Sequence, residues 1–271
     1  MQITAITSDA NPLLKKIRGL HQRSIRDKQG LFILEGPKLL GEAFAKGIDI
    51  KDVVVSKTYL NAGLPASLQS DMHAITVVDD KIFKDLVTTE TPSGIIAIAA
   101  KQNYNLDDLL AGPRLAAQPL VVVGEAIQDP GNLGTIMRAA LAFGATGLIL
   151  TKGSVDPFNP KVVRGAMGAL FSLPFVFDIE APLAISFLKQ RGLNVMAFTP
   201  LAKEPFWQSD LTRPTALVLG NEGQGLTQST IESADSVVSI PMSDESESLN
   251  VAMCAAVVLF DCSRQRMSAL R

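Results

Sequence analysis

The feature that most limits what this chain can fold into is a series of continuous apolar runs in its second half. They are LVVVGE from Leu120, TGLILT from Thr146, LNVMAFT from Leu193, TALVLG from Thr215 and SVVSIP from Ser236. Each is short, and none alternates apolar with polar residues as a half-exposed strand does. Helical stretches separate most of them, and a long helix is expected from about Leu249 to the end. Continuous apolar strands between helices predict an α/β fold with a mostly parallel sheet covered by helices on both faces.

The first half is built from smaller pieces. NPLLKKIRGL predicts a helix capped by Asn11 with Pro12 in its first turn. LFILE, DVVVS, HAITVV and GIIAIAA predict strands. PKLLGEAFAKG predicts a helix closing on Gly47, and DDKIFKDLV another helix. These make a smaller α/β domain over residues 1–105. A polar stretch ending in Gly, Pro and Ala predicts a linker at 106–118. The second domain is then 119–271.

Composition narrows the function classes. The chain has 271 residues, 47% hydrophobic and 19% charged, so it has enough apolar material for a sizeable core. Its formal net charge is −2, so a nucleic-acid binder of this composition needs a local basic patch. KKIRGLHQRSIRDK, residues 15–28, provides one. Lys15, Lys16, Arg18, Arg23, Arg26 and Lys28 are candidate phosphate contacts, with a solvated helix face as the alternative. Phe32 and His21 are candidates to stack on a base. No apolar stretch has the roughly 20 residues of a membrane helix. The start lacks the layout of a signal peptide, and cytoplasmic location is expected. The only cysteines, Cys254 and Cys262, lie along one expected helix, and the only histidines are His21 and His73. No metal site is expected.

Ligands of parallel α/β sheets gather at the carboxyl ends of the strands. After LVVVGE comes AIQDPGNLGTIMRAA, a turn rich in backbone donors followed by a helix carrying Arg138. After TALVLG comes NEGQGL, where glycines permit close backbone approach and Glu222 points toward a cleft. After SVVSIP comes MSDESESLNVAMCAAVVLF, where Ser248 and Asn250 open the last helix and Asp244, Glu245 and Glu247 suit its positive end. Each residue also has an ordinary explanation: Asn132 as a helix cap, Arg138 as a surface cation near the helix start, Glu222 as a turn residue, Ser248 as an N-cap. Neither the dinucleotide-binding glycine fingerprint nor the phosphate-binding loop motif is present, which disfavours a nucleotide-dependent oxidoreductase.

DPGNLGTIMRAALAFGATGLIL, LVLGNEGQGL and IPMSDESESLNVAMCAAVVLF resemble, in order and spacing, the three signature motifs of the SpoU (TrmH-type) RNA 2′-O-ribose methyltransferases of the SPOUT superfamily. The first half resembles that family's RNA-binding domain, which is similar to ribosomal protein L30e. The resemblance implies S-adenosylmethionine as methyl donor and a ribose 2′-hydroxyl of RNA as acceptor, most readily ribosomal RNA. A transfer RNA substrate, or a non-catalytic RNA-binding or ribosome-assembly role, are the alternatives. It implies Arg138, Asn132, Glu222, Ser248 and Asn250 as catalytic-site residues. It implies a donor pocket lined largely by backbone around Thr199, Leu219, Gly220, Ile240 and Leu249, with Lys161 and Arg164 as candidate phosphate contacts. It further implies a deep trefoil knot in the C-terminal domain and a homodimer through that domain, with a buried Arg138 beside the ribose. One departure is Gly165 and Ala166, where many relatives carry a serine-containing stretch.

Overall fold

A computed structural model describes residues 2–65, 68, 74–111, 118–243, 245 and 248–269. His73, Asp244 and Glu247 lie outside the described residues. The chain divides into two compact units. The first is residues 1–102 together with 158–171, and the second is 103–157 with 172–271.

The first unit holds a five-stranded sheet in the order β1-β4-β3-β5-β2. Its strands are β1 (Gln2–Ile6), β2 (Leu31–Glu35), β3 (Ile50–Ser56), β4 (Ala74–Val78) and β5 (Ile95–Ala100). β4 runs parallel to β1 and β3, and β5 runs antiparallel to β3 and β2. Its helices are α1 (Pro12–Gly19), α2 (Arg23–Gln29), α3 (Pro37–Ala45), α4 (Lys57–Ala62) and α5 (Asp80–Lys84). The Asn11 side chain caps α1 by accepting from the Leu13 amide at 2.9 Å. α3 stops where Gly47 takes a left-handed φ of 67°, which a side chain disfavours. β1 was not foreseen: it is an edge strand with almost every residue exposed, so it carries no apolar signal.

The second unit holds a seven-stranded, all-parallel sheet, order β10-β12-β9-β11-β6-β7-β8. The strands are β6 (Leu120–Gly124), β7 (Gly147–Thr151), β8 (Phe175–Ile179), β9 (Asn194–Phe198), β10 (Glu204–Pro205), β11 (Thr215–Leu219) and β12 (Ser236–Ser239). β6, β7 and β11 are buried along their whole length, as parallel strands between two helix layers must be. The helices are α6 (Pro130–Ala142), α9 (Ala181–Gln190), α10 (Gln228–Ser233) and α11 (Val251–Ala269), while α7 (Pro160–Ala166) and α8 (Ala169–Ser172) fall in or next to the segment that groups with the first unit. One face of the sheet packs Val121, Val123, Ile149, Val195 and Val218 against Ala184, Ile185 and Leu188 of α9. The alternate residues turn to the other face, where α6 and α11 lie against the sheet and each other.

The stretch expected as a linker is partly built into this unit. Residues 112–117 lie outside the described residues, but Leu109 sits in a short 3-10 turn (Asp107–Leu110) and is fully buried in the core. Gly147 accommodates it, since a Cβ there would stand 2.5 Å from Leu109 Cβ. Arg266, near the end of α11, donates to the carbonyls of Leu211 (2.9 Å), Gln118 (2.7 Å), Pro119 (3.1 Å) and Arg213 (2.8 Å). These lie before β11 and β6, so α11 runs from the carboxyl ends of the strands, where Asn250 precedes it, to their amino ends. Among the described residues no helix is long and apolar enough to cross a membrane. Leu109→Ala is expected to lower the stability of the second unit by about 2–5 kcal/mol in urea denaturation. A change near zero would show that this turn lies outside the cooperative core.

Candidate active site

The turn after β6 does not offer its backbone donors to a ligand. Every amide from Glu125 to Asp129 is already taken. Glu125 N–H donates to the Leu219 carbonyl (2.8 Å), Ala126 to Thr151 Oγ1 (3.0 Å) and Ile127 to Ser154 Oγ (3.2 Å). Gln128 and Asp129 donate to Glu222 Oε2 (3.1 Å) and Oε1 (3.0 Å). Ala126 holds the turn with a left-handed φ of 52°, a conformation that costs an alanine roughly 1–2 kcal/mol and that this many hydrogen bonds stabilise.

The helix cap is Asp129, whose Oδ1 accepts from the Asn132 amide at 2.8 Å. Asn132 is thus not the cap, and its side chain is released for other work. Its Nδ2 donates to Glu222 Oε1 at 3.0 Å, and its Oδ1 accepts from Asn250 Nδ2 at 2.9 Å. Asn250 in turn caps α11, its Oδ1 accepting from the amides of Ala252 (2.9 Å) and Met253 (3.3 Å). The three signature stretches therefore meet in one hydrogen-bonded chain, Glu222 to Asn132 to Asn250. Burial would raise the Glu222 carboxyl. The Asn132 amide and the backbone amides of Asp129, Gln128 and Glu222 itself outweigh it and hold the group below its usual 4.5.

NEGQGL forms a tight loop closed by reciprocal backbone bonds between Asn221 and Gly225, 3.0 Å each way. Asn221 Oδ1 accepts from the Gly223 and Gln224 amides, and its Nδ2 donates to the Ala126 carbonyl at 2.8 Å. At Gly220 a Cβ would lie 2.4 Å from the Gly225 carbonyl carbon, so only glycine fits. Sequence reasoning missed Asn221 and Glu125, because their work is done through contacts distant in the chain.

Arg138 departs from expectation in two ways. It is the ninth residue of the 13-residue α6, beyond the midpoint, so the penalty at a helix's positive end does not apply to it. It is also exposed, not buried, in the single chain. Among the described residues it makes no ion pair or hydrogen bond. Ser248 is exposed, and the helix cap is Asn250 instead. Leu219 is buried at the end of β11; Gly220 follows it, Thr199 follows β9 and Ile240 follows β12, while Leu249 precedes α11. The Thr199 amide donates to the Val238 carbonyl at 3.0 Å.

The basic candidates of the first unit separate into spent and unspent charges. Arg26 is only 2% exposed and donates to the carbonyls of Leu20 and His21, both at 2.9 Å. It closes the α1–α2 turn and is no phosphate contact, a correction with a plain cause: its head group is buried. Lys16 pairs with Asp52 (3.4 Å), Arg18 with Asp9, Arg23 with Asp27 (3.5 Å) and Arg164 with Glu35 (3.5 Å). Lys15, Lys28 and Lys161 are exposed. Phe32 is buried against Phe158, ring centroids 4.9 Å apart, and His21 Nε2 lies 2.8 Å from the Leu86 carbonyl oxygen, so neither serves as a stacking surface. Among the described residues no cluster suits a metal ion.

Residues 119–260 match the SpoU rRNA Methylase family, and residues 11–97 match the MRM3-like substrate binding domain. The chain belongs to the SpoU rRNA methylase family. It is 35% identical to an uncharacterized tRNA/rRNA methyltransferase of Synechocystis, over 98% of this chain and 96% of that one. It is 31% identical to the 23S rRNA (guanosine(2553)-2′-O)-methyltransferase RlmP of Bacillus subtilis, over 94% and 97%. An AdoMet-bound rRNA methyltransferase from Sinorhizobium meliloti has a similar fold, with TM-score 0.84 and 29% identity over 97% of this chain and 98% of that one.

The Glu222 carboxyl lies below its unfolded value, so its contribution to stability is present above about pH 4.5 and is lost as pH falls through the lower folded value. Urea denaturation of the wild type is expected to show this loss below pH 4.5, and the Glu222→Gln variant to lack it. Parallel pH profiles for the two proteins would remove Glu222 from the centre of the network.

Proposed function

We propose that this SpoU methyltransferase transfers a methyl group from S-adenosylmethionine to a ribose 2′-hydroxyl of ribosomal RNA, through Arg138, Asn132, Glu222, Ser248 and Asn250. The observation that supports these residues best is the chain Glu222–Asn132–Asn250, which joins three segments far apart in sequence at the carboxyl ends of parallel strands. A relative along almost the full length is named for 2′-O-methylation of a guanosine in 23S rRNA, which favours ribosomal over transfer RNA. The enzyme then acts in the cytoplasm, where its substrate is.

The residues after β9, β11 and β12 fit the donor's chemistry. Ile240 and Leu249 offer apolar surface to a flat adenine, and Leu219, whose side chain is buried, contributes backbone only. The Gly220 backbone and the Thr199 carbonyl offer polar groups to its edge, and Gly220 has no side chain to block the approach. The donor supplies a methyl group made electrophilic by a positive sulfur. The protein must bring the 2′-oxygen into line with it, and positioning alone lowers such a barrier by up to about 7–11 kcal/mol.

The oxygen gains negative character as it loses its proton. Arg138 presents a guanidinium, a group that stays cationic in proteins. It therefore stabilises the developing alkoxide and does not take the proton, which leaves to phosphate or water. Asn132 and Asn250, fixed by Glu222, shape the nucleotide pocket, and Ser248 adds a hydroxyl to it.

Arg138 is exposed on α6, which packs beside α11, and α11 presents an exposed apolar face of Met253, Val257, Phe260 and Met267. Phe143, at the end of α6, meets Phe260 edge-on at 5.8 Å. A second copy covers this face in a homodimer and buries Arg138 beside a ribose at the joint site. The C-terminal unit carries the family's trefoil knot. Lys15, Lys28 and Lys161 lead the grip on RNA phosphates, with Lys16, Arg18, Arg23 and Arg164 exchanging their carboxylate partners for phosphate.

Arg138→Ala is expected to lower kcat on the order of 10²–10³-fold, as loss of an oxyanion donor does, and to leave donor affinity unchanged in calorimetry. Turnover near wild type at saturating RNA would refute the role. The double variant Val257→Asp, Phe260→Asp is expected to run as a monomer in light scattering and to lose activity. A dimer of unchanged mass would place the interface elsewhere.

A further inference from the structure

One residue pins both ends of the loop that carries Asn221 and Glu222. Glu125 follows β6 directly. Its backbone amide donates to the carbonyl of Leu219, just before the loop, at 2.8 Å. Its carboxylate accepts from Thr227, just after the loop, through the amide (3.2 Å) and the hydroxyl (2.7 Å). The Thr230 hydroxyl adds a third donor at 3.0 Å. Glu125 is 5% exposed, and among the described residues no cation pairs with it. A buried carboxylate without a counter-charge is costly, and a packed apolar residue would fill the space with no such cost. What the carboxylate adds is a fixed direction for three donors.

The loop between these two anchors is internally rigid. Its Asn221–Gly225 backbone bonds, the Asn221 side chain and the tight fit at Gly220 leave it no slack. A rigid loop held at two ends moves as one piece, so a shift at Thr227 is carried to Glu222 and Gly220. We propose that Glu125 is a positioning residue for methyl transfer: acting through Thr227, it sets the tilt of the 220–226 loop and so aligns Glu222 with Asn132 and the Gly220 backbone with the donor. This rests on the assignment of Glu222 and Gly220 to the active site made above.

The test uses full-length Glu125→Ala, Thr227→Val and Thr227→Ser proteins. Thr227→Val removes one hydroxyl and keeps the chain foldable should Glu125→Ala not fold. Each is measured for S-adenosylmethionine affinity by calorimetry, for kcat and KM with RNA, and for urea stability. Loss of a buried charge-assisted hydrogen bond predicts about tenfold weaker donor binding or lower kcat in Glu125→Ala and Thr227→Val, with KM for RNA unchanged. Thr227→Ser, which retains the hydroxyl, is expected to restore both to within about twofold. In a Glu222→Ala background the further effect of Thr227→Val on kcat at saturating donor is expected to shrink to about twofold or less, because the route through Glu222 to Asn132 is already cut. Wild-type kcat and donor affinity in both disruptive variants would overturn the proposal, as would a full, additive effect on top of Glu222→Ala. A wild-type protein that binds no donor would instead overturn the underlying active-site assignment, and this proposal with it.

Discussion

The site depends on one carboxylate that ties two loops together. Glu222 lies in the loop after β11, yet its oxygens accept from Gln128, Asp129 and Asn132, all after β6. Two of these donors are backbone amides at the start of α6, where the helix dipole favours negative charge. A neutral side chain could not receive all three so well, because charge-assisted bonds are the stronger ones. The consequence reaches beyond Glu222. With Asp129 serving as cap and Glu222 accepting from its Nδ2, Asn132 can turn its oxygen to Asn250.

The sheet makes this meeting possible. β6 and β11 are neighbours in parallel register, Leu219 opposite Gly124, so the segments that leave them emerge side by side. α11 runs back along the sheet from those carboxyl ends, tied at its far end by Arg266 to carbonyls before β6 and β11. The helix is thus fixed at both ends, and Asn250 at its start cannot drift from Asn132. Packing of apolar strands sets the coarse positions, and a handful of polar side chains sets the fine ones.

Much of this was legible in the residues. The apolar runs marked β6, β7, β9, β11 and β12 because parallel strands buried on both faces leave a continuous signal. β8 and β10 left none: FVFDI mixes apolar and polar residues next to prolines, and β10 is two residues long. Asn132, Glu222 and Asn250 could be named from motif resemblance, but not their order in a hydrogen-bonded chain. That order depends on which group caps α6, and Asp129 and Asn132 are equally suited by type. Glu125 was invisible for a related reason. A glutamate after a strand reads as a surface residue until the fold brings Thr227 and Thr230 over it. The grouping of residues 158–171 with the first unit is likewise a matter of tertiary packing that no local pattern encodes.

Three arginines show how differently one fold can dispose of the same five donors. A guanidinium has a fixed fork of N–H groups and no means of becoming neutral. Arg266 directs its fork at four backbone carbonyls and acts as a clasp. Arg26 does the same on a smaller scale with Leu20 and His21. Arg26 lies in a basic run, and Arg138 stands among apolar residues. In the structure it is Arg26 that is buried and Arg138 that is exposed. Arg138 spends no donor on any described neighbour, although it projects from the helix whose first turn is tied to Glu222 and Asn250. Leaving such a group unsatisfied by the protein is tolerable only where water or a ligand completes it. Its unspent fork is the feature on which its proposed role rests: it is available to meet charge that appears only during a reaction.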